Sequence, residues 1–231
     1  MLYQLMRSSA DIRTLAVAAV ATIVAFVVGI GFHEFCHVWA AYSLGDPTGR
    51  NMGRLTLNPL RHLDPLGSML LLLVGFGWGK PAPVNPNRLR TGPTTGFALV
   101  ALAGPASNFV IAALFAVLLK FGPLRDSILL APPVSQWGVS DFVANVLRYC
   151  ILINVLLGVF NLVPIPPLDG YRVLLRLLPT DLAASYQRIE QYGPVILMVL
   201  LFALPFFTGV NPINDLIGPV MSGVQRVLLG G

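Results

Sequence analysis

The pentapeptide from His33 to His37, His-Glu-Phe-Cys-His, combines residue types that bind a transition metal and use it. Residues four apart lie on one face of a helix, so His33 and His37 can present two imidazole nitrogens to the same Zn²⁺ ion. Glu34 projects beside that ion, where its carboxylate can take a proton from metal-bound water. The spacing therefore predicts a helix that carries two zinc ligands and the general base of a hydrolytic reaction.

This motif lies in an apolar medium, inside a run that extends from Leu15 to Leu44. The chain of 231 residues is 55% hydrophobic and 11% charged, with a mean hydropathy of +0.75, which excludes an ordinary soluble domain. Ionisable side chains are costly at membrane depth, so their presence there indicates a functional site. We therefore expect an integral membrane protein that carries out metal chemistry within the bilayer.

The net charge of +5 does not indicate nucleic-acid binding, because the fifteen basic residues are scattered through connecting segments. Their distribution between the two sides of the membrane instead predicts orientation, with the richer side in the cytoplasm. The richer side holds Arg50, Arg54, Arg61, Lys80, Arg88, Arg90, Arg172, Arg176 and Arg188, and the other holds Arg7, Arg13, Lys120 and Arg125. The end of the first span that carries His33 and His37 is therefore expected to face the cytoplasm.

Hydropathy along the chain predicts an all-α polytopic membrane protein with about five to six transmembrane helices. The apolar segments are residues 15–44, 95–119, 142–163, 194–207 and, more weakly, 213–229. A shorter run, 66–74, leads into the glycine-rich stretch 75–81, which predicts a re-entrant loop or β-hairpin that dips toward the metal site. The strand-like residues 82–84 offer an edge to an extended peptide. We expect one domain over residues 1–231, with a catalytic core at about 15–178, C-terminal helices at about 190–229 and a retained first span.

Two imidazoles leave zinc short of a third protein ligand, and Asp169 is the best candidate for it. Asp169 follows a stretch in which three of the four residues 164–167 are prolines, so the preceding helix must unwind there. This break lies at about the predicted depth of His37. Asn161 precedes the unwound stretch, and its amide is suited either to the freed carbonyls or to a substrate backbone.

Three motifs, HEFCH, AGPASN and NLVPIPPLDG, occur in this order and resemble the site-2 protease family of intramembrane zinc metalloproteases, peptidase family M50. The linking stretches GRLTLNPLRHLDPLG and GWGKPAPVN resemble its small members, which lack PDZ and CBS domains. The resemblance covers roughly residues 15–178. It implies that His33, His37 and Asp169 bind one catalytic Zn²⁺ and that Glu34 acts as general base and then as acid. It also implies that Asn108 hydrogen-bonds the substrate backbone or the developing oxyanion.

The resemblance further implies cleavage of transmembrane segments of other membrane proteins, as in regulated intramembrane proteolysis, in a bacterial or archaeal inner or plasma membrane. A membrane metal transporter or metal-binding protein using the same His, His and Asp set stays open, as does a catalytically silent chaperone. Glu34 favours the protease, because transport does not require a carboxylate beside the ligands. Tyr171 departs from the second glycine that often follows Asp-Gly in the family, and we interpret His62 as structural or interfacial. The sequence carries no signal for a particular oligomeric state.

Overall fold

The structure is a computed structural model that describes residues 12–74, 77–124 and 134–227. Within these ranges the regular structure is helical and contains no β-strand, which confirms the all-α class. Several positions used in the predictions lie outside the described residues: Arg7, Arg125, the 75–76 part of the predicted re-entrant loop and the last residues of the weak C-terminal segment.

The helices are named α1 to α10 in chain order. Their bounds are α1 Ile12–Ser43, α2 Thr48–Asn51, α3 Pro65–Val74, α4 Pro93–Phe121, α5 Val139–Asn161, α6 Asp169–Leu177, α7 Thr180–Gln187, α8 Gly193–Met198, α9 Leu204–Thr208 and α10 Pro212–Gln225. Short 3₁₀ turns occupy Pro59–Arg61, Pro86–Arg88, Val134–Gln136 and Glu190–Tyr192, and a π-helical turn, Val199–Ala203, joins α8 to α9.

Four segments of the described ranges are long and apolar enough to cross a membrane, namely α1, α4, α5 and the stretch Thr180–Thr208. These segments make the chain an integral membrane protein. A membrane-crossing helix needs about 20 residues, whereas α3 has 10 and α10 has 14. The described ranges thus supply four spans where the sequence predicts five to six, and the weak C-terminal segment forms a short helix.

The core consists of α1, α4 and α5, which all pack against one another. Glycines bring their backbones close together, because a Cβ on Gly29 of α1 would lie 2.7 Å from Leu157 of α5. A Cβ on Gly158 of α5 would likewise lie 2.9 Å from Phe109 of α4. Close packing of this kind holds helices together in lipid, where the hydrophobic effect between them is absent. It sets the register of α1 against α4 on which the metal centre depends.

The connection between α1 and α4 contains a closed hairpin. Leu63 pairs with Gly79 in an isolated antiparallel bridge, so the two ends of the segment 63–79 lie side by side. The limbs also touch further along, where a Cβ on Gly67 of α3 would lie 2.2 Å from the backbone oxygen of Trp78. The two limbs of the segment thus lie next to each other, as in the predicted loop. That this loop enters the membrane stays a prediction.

The prediction of paired β-strands in this loop is wrong for the described residues, because its first limb is the helix α3. Residues 82–84 also take no strand conformation. Pro81 and Pro83 explain this outcome, since proline has no N–H with which to continue a ladder of strand hydrogen bonds. The backbone that lies beside Glu34 is instead that of Gly79, in the second limb of the hairpin, which we call the returning limb.

The predicted proline break is confirmed, because α5 ends at Asn161 and α6 begins at Asp169. The irregular chain between them turns tightly back on itself, and a Cβ on Gly170 would lie 2.2 Å from the Leu162 carbonyl oxygen. The Thr180–Thr208 span covers this break through Leu197, which is buried in one cluster with Val163 and Leu168. The break is thus a packed part of the fold that fixes where α6 starts.

Candidate metal centre

His33, His37 and Asp169 converge on one point inside the protein. His33 Nε2 and His37 Nε2 lie 2.9 Å apart. Asp169 Oδ2 lies 3.1 Å from the first of these nitrogens and 3.3 Å from the second. Both histidines are buried, at 7% exposure each, so the three donors meet in a site largely shielded from solvent. Within the described residues, this is the group of His, Cys, Asp or Glu side chains whose spacing suits a metal ion.

The donor set fits zinc. Two donors about 2.0–2.2 Å from a tetrahedral ion lie roughly 3.3–3.6 Å apart, and the observed separations fall within several tenths of an ångström of that range. The buried Oδ2 of Asp169 has no hydrogen-bond partner among the described residues, so this oxygen is available to a metal ion.

Hydrogen bonds on the far side of each imidazole orient the two histidines. His37 Nδ1 lies 2.7 Å from the Val100 carbonyl oxygen, which can only accept, so Nδ1 donates and Nε2 keeps its lone pair. His33 Nδ1 lies 2.7 Å from Asn108 Oδ1, and the Asn108 amide nitrogen donates to Gly29 O at 3.1 Å. Both Nε2 atoms therefore face Asp169, in the orientation that a metal ion shared by the three side chains requires.

One face of α4 supplies these contacts, because Val100, Gly104 and Asn108 follow each other at intervals of four residues. Sequence reasoning assigns Gly104 at most a role in close helix packing and misses its contact with the two histidines. A Cβ built on it would lie 2.4 Å from His37 Nε2 and 2.7 Å from His33 Cε1, so a side chain there would enter the donor site. The signal was present in the sequence, since Gly104 precedes Asn108 by one helical turn in AGPASN.

Asn108 lies at the centre of the core instead of lining an open cavity. It is fully buried, and besides His33 and Gly29 it contacts Asn154 of α5, whose Oδ1 accepts from its amide at 2.9 Å. These contacts tie α1, α4 and α5 together at the depth of the ligands. The substrate contact predicted for Asn108 stays a prediction, as does that of Asn161, whose amide donates to Leu157 O at 2.9 Å in its own helix.

Glu34 lies next to the donor set and to the closed hairpin. Its side chain is buried, and its Oε2 has no hydrogen-bond partner in the part of the chain that the structure describes. A Cβ on Gly79 would lie 3.5 Å from Glu34 Oε1 and 2.6 Å from Ile30, so the returning limb of the hairpin packs directly on α1 here. Glu34 thus has a carboxylate oxygen available for a proton, with peptide backbone close beside it.

Arg54 brings a positive charge near Glu34. The guanidinium is buried, at 6% exposure, and its Nη2 donates to the Lys80 carbonyl oxygen at 2.5 Å. Burial lowers the pKa of Arg54 from its ordinary value, while the charge of Glu34 acts in the opposite direction. The residue therefore links the hairpin's returning limb to the connection that follows α2 and contributes positive potential to the site.

Among the described residues, His62 is not part of the group of side chains that could hold a metal ion. His62 is fully buried in the connecting segment, and its Nε2 lies 2.7 Å from the Thr56 carbonyl oxygen. Its backbone oxygen accepts from Lys80 N at 2.7 Å, which helps to close the hairpin. These contacts agree with a structural histidine.

His33, His37 and Glu34 lie on a helix long enough to cross a membrane, and Asp169 of the short helix α6 converges on the two histidines; this arrangement is that of a membrane-embedded metal-dependent protease. The comparisons with known proteins agree. The model of peptidase family M50 matches residues 126–204. The Bacillus subtilis protein named "Putative zinc metalloprotease YwhC" is 39% identical over 178 residues, which make up 77% of this chain and 78% of that protein.

Two mycobacterial relatives carry the name "Putative zinc metalloprotease Rip2". The Mycolicibacterium smegmatis protein is 30% identical over 78% of this chain and 65% of its own length, and the Mycobacterium tuberculosis protein is 31% identical over 80% and 67%. No solved structure matches. The chain belongs to peptidase family M50 and is a zinc metalloprotease.

Proposed function

We propose that this protein is an intramembrane endopeptidase that cleaves transmembrane segments of other membrane proteins. In this proposal one zinc ion is held by His33, His37 and Asp169. The observation that carries it is the convergence of these three side chains directly beside Glu34, in a buried site between the long helix α1 and the short helix α6. A protein that only bound a metal would have no use for the fourth ionisable group at this position.

Bound zinc would supply Lewis-acid chemistry, because it lowers the pKa of a coordinated water to about 7 and polarises a carbonyl. Glu34 would take the proton of the attacking water on its unpaired Oε2 and pass it to the leaving amine. Asn108 and the Val100 carbonyl would keep the Nδ1 protons of the histidines in place, so that each Nε2 stays a metal ligand. On this proposal Asn108 orients a ligand, and its predicted contact with the substrate is the alternative role.

The closed hairpin would present the substrate to Glu34. A transmembrane helix must lose its internal hydrogen bonds before a protease can reach its backbone, and an extended segment then needs a surface along which to lie. The returning limb at Gly79 is such a surface, since it packs against Ile30 and Glu34 at once. Arg54 would hold this limb in position through its bond to the Lys80 carbonyl.

The active site would open toward the cytoplasm of a bacterial or archaeal cell. The connection between α1 and α4, residues 44–92, and the helix α6 lie at the end of α1 that carries His33 and His37, and together they contain eight of the chain's fifteen basic residues. The excess of Lys and Arg on one side of a membrane marks the cytoplasmic side. The lipid bilayer and a membrane-protein substrate are therefore the expected partners.

Co-expression with a panel of single-span membrane proteins tests this function. We expect shortened products from the wild type that are absent with Glu34→Gln, both variants being present in equal amount in the membrane. Identical product patterns from the two variants would overturn the protease assignment. Zinc uptake into the cell that is unchanged by Glu34→Gln, with no shortened product from either variant, would favour the metal-transport alternative.

A further inference from the structure

Glu190 is one of two glutamates in the chain, and the other is Glu34. It begins the 3₁₀ turn Glu190–Tyr192, directly before the apolar part of the Thr180–Thr208 span. Its carboxylate reaches back to α6, where Oε2 accepts from the Tyr171 hydroxyl at 2.9 Å. The neighbouring Arg172 donates through both terminal nitrogens, one to each carboxylate oxygen. Glu190 therefore binds the first turn of α6 through two different side chains.

Both side chains that bind Glu190 are themselves held in place by their neighbours. Tyr171 is 1% exposed, and its hydroxyl would lose this hydrogen bond if Glu190 were absent. The Arg172 guanidinium stacks on the Phe97 ring of α4, with 4.7 Å to the ring centroid. Because the Glu190 side chain retains 42% exposure, its ion pair with Arg172 contributes little by itself. The buried hydroxyl bond is the specific part of the contact.

This contact is close in sequence to Asp169, the first residue of α6. The chain before Asp169 is irregular over residues 162–168, so it transmits no helical register from α5. The position of Asp169 along and around the α6 axis therefore depends on the packing of this break and on what α6 itself touches. Metal ligands tolerate displacements of only about 0.2 Å. Tyr171 lies two residues from Asp169, and it is the residue of α6 whose hydroxyl bonds to Glu190 of the Thr180–Thr208 span.

We propose that Glu190 is a positioning residue for the metal centre, which holds Asp169 in ligand geometry through Tyr171 and Arg172. The inference rests on the proposed ligand set of His33, His37 and Asp169. It gives a use to Tyr171, which stands where the family often has a glycine. It also couples the placement of the last long span to the strength of zinc binding, since Glu190 lies where that span's apolar part begins.

The test measures the zinc affinity of the full-length protein in detergent, by competition with a chromogenic chelator. We expect Glu190→Ala to weaken zinc binding about 10-fold, at the lower end of the range for residues that support a metal ligand. Tyr171→Phe keeps the ring and removes only the hydroxyl, so it should weaken binding about threefold, as expected for one lost hydrogen bond. The matched control is Asp181→Ala, an exposed carboxylate on the neighbouring α7, which should leave the affinity unchanged.

A double-mutant cycle separates positioning from general support of the fold. If Glu190 acts through Asp169, Glu190→Ala should have no further effect on zinc affinity once Asp169→Asn has been introduced. A full additional loss in the Asp169→Asn background would overturn the inference, as would wild-type affinity in both Glu190→Ala and Tyr171→Phe.

The cycle also distinguishes the inference from the proposed function. Wild-type zinc affinity in Asp169→Asn would overturn the ligand set itself. A loss in Asp169→Asn without any loss in Glu190→Ala would overturn the role of Glu190 alone. Should Glu190→Ala fail to fold, Tyr171→Phe carries the same cycle with a smaller change in shape.

Discussion

Gly104 and His37 lie in direct contact, and a Cβ on Gly104 would approach His37 Nε2 to 2.4 Å. The same atom would come within 2.7 Å of His33 Cε1. A glycine at this position of α4 is therefore a condition for two imidazoles to meet an aspartate in the same space. The contact also explains how a helix that supplies no ligand shapes the metal centre.

Gly104→Ala should abolish tight zinc binding, because the added methyl group enters the space of the donor nitrogens. We expect a loss of about 100-fold or more in affinity, beyond the usual effect of a residue behind a ligand. The control is Gly218→Ala in α10, where a Cβ meets nothing within 4 Å. Zinc retained by Gly104→Ala at the wild-type level would contradict the packing described for α1 and α4.

Asn108→Ala should weaken zinc binding about 10- to 100-fold, because His33 loses the acceptor that holds its Nδ1 proton. Chelator competition on the purified variant measures the loss. Asn161→Ala is the control, since the Asn161 amide bonds within its own helix and should leave zinc affinity unchanged. If Asn108→Ala kept full zinc affinity and raised only the KM for substrate, the substrate contact would be the better role for Asn108.

The local pattern of the sequence predicts the parts of the site that depend on one helix or one break. His33, Glu34 and His37 follow from helical periodicity, and the start of α6 at Asp169 follows from prolines that cannot continue α5. The contact of Gly104 with His37 cannot be predicted in this way, because it depends on the relative register of α1 and α4. No periodicity within either segment encodes that register.

Long-range polar contacts escaped prediction for a related reason. In the sequence, Glu190 is one charged residue in a polar connection, and only the folded chain shows that its carboxylate accepts a hydrogen bond from Tyr171. The sequence predicts a re-entrant loop at 66–81 but not its helical limb, because the nine-residue apolar run 66–74 suits either a helix or a strand. The proline positions after it could have excluded a strand at 82–84.

Gly79→Ala should slow cleavage while zinc binding stays intact. The added Cβ would meet Ile30 at 2.6 Å, so the returning limb of the hairpin must move away from Glu34. We expect at least a 10-fold loss of kcat/KM, since misplacement of a positioned substrate by about 1 Å costs up to 100-fold. Zinc content and cleavage are measured on one preparation, and unchanged cleavage would remove the returning limb from the substrate path.

The stability of the connection after α1 should depend on pH through Asp46. This buried carboxylate accepts hydrogen bonds from Thr48 N at 3.1 Å and Asn85 N at 2.6 Å. Burial alone would raise the pKa of Asp46, but bonds from Thr48 and Asn85 and the charge of Arg88 lower it below the ordinary value. Asp46 therefore stabilises the fold above an unfolded pKa of about 3.9, and this contribution disappears as pH falls through the lower folded pKa.

Asp46→Asn should accordingly reduce the free energy of unfolding by about 1–2 kcal/mol at pH 7. Denaturant unfolding of both proteins measures the difference. It should stay constant from pH 7 down to about pH 5 and shrink below the unfolded pKa of about 3.9. A difference that widened as pH fell would contradict the lowered pKa of Asp46.

The central claim is that Glu34 performs proton transfer beside a zinc ion held by His33, His37 and Asp169. Its most direct test is cleavage of a single-span membrane protein by the purified, zinc-loaded enzyme in liposomes, wild type against Glu34→Gln. We expect both proteins to bind one zinc ion, and the variant to cleave at least about 100-fold more slowly, as the loss of a general base requires. Cleavage by Glu34→Gln at the wild-type rate, or cleavage that persists after zinc is removed, would contradict the claim.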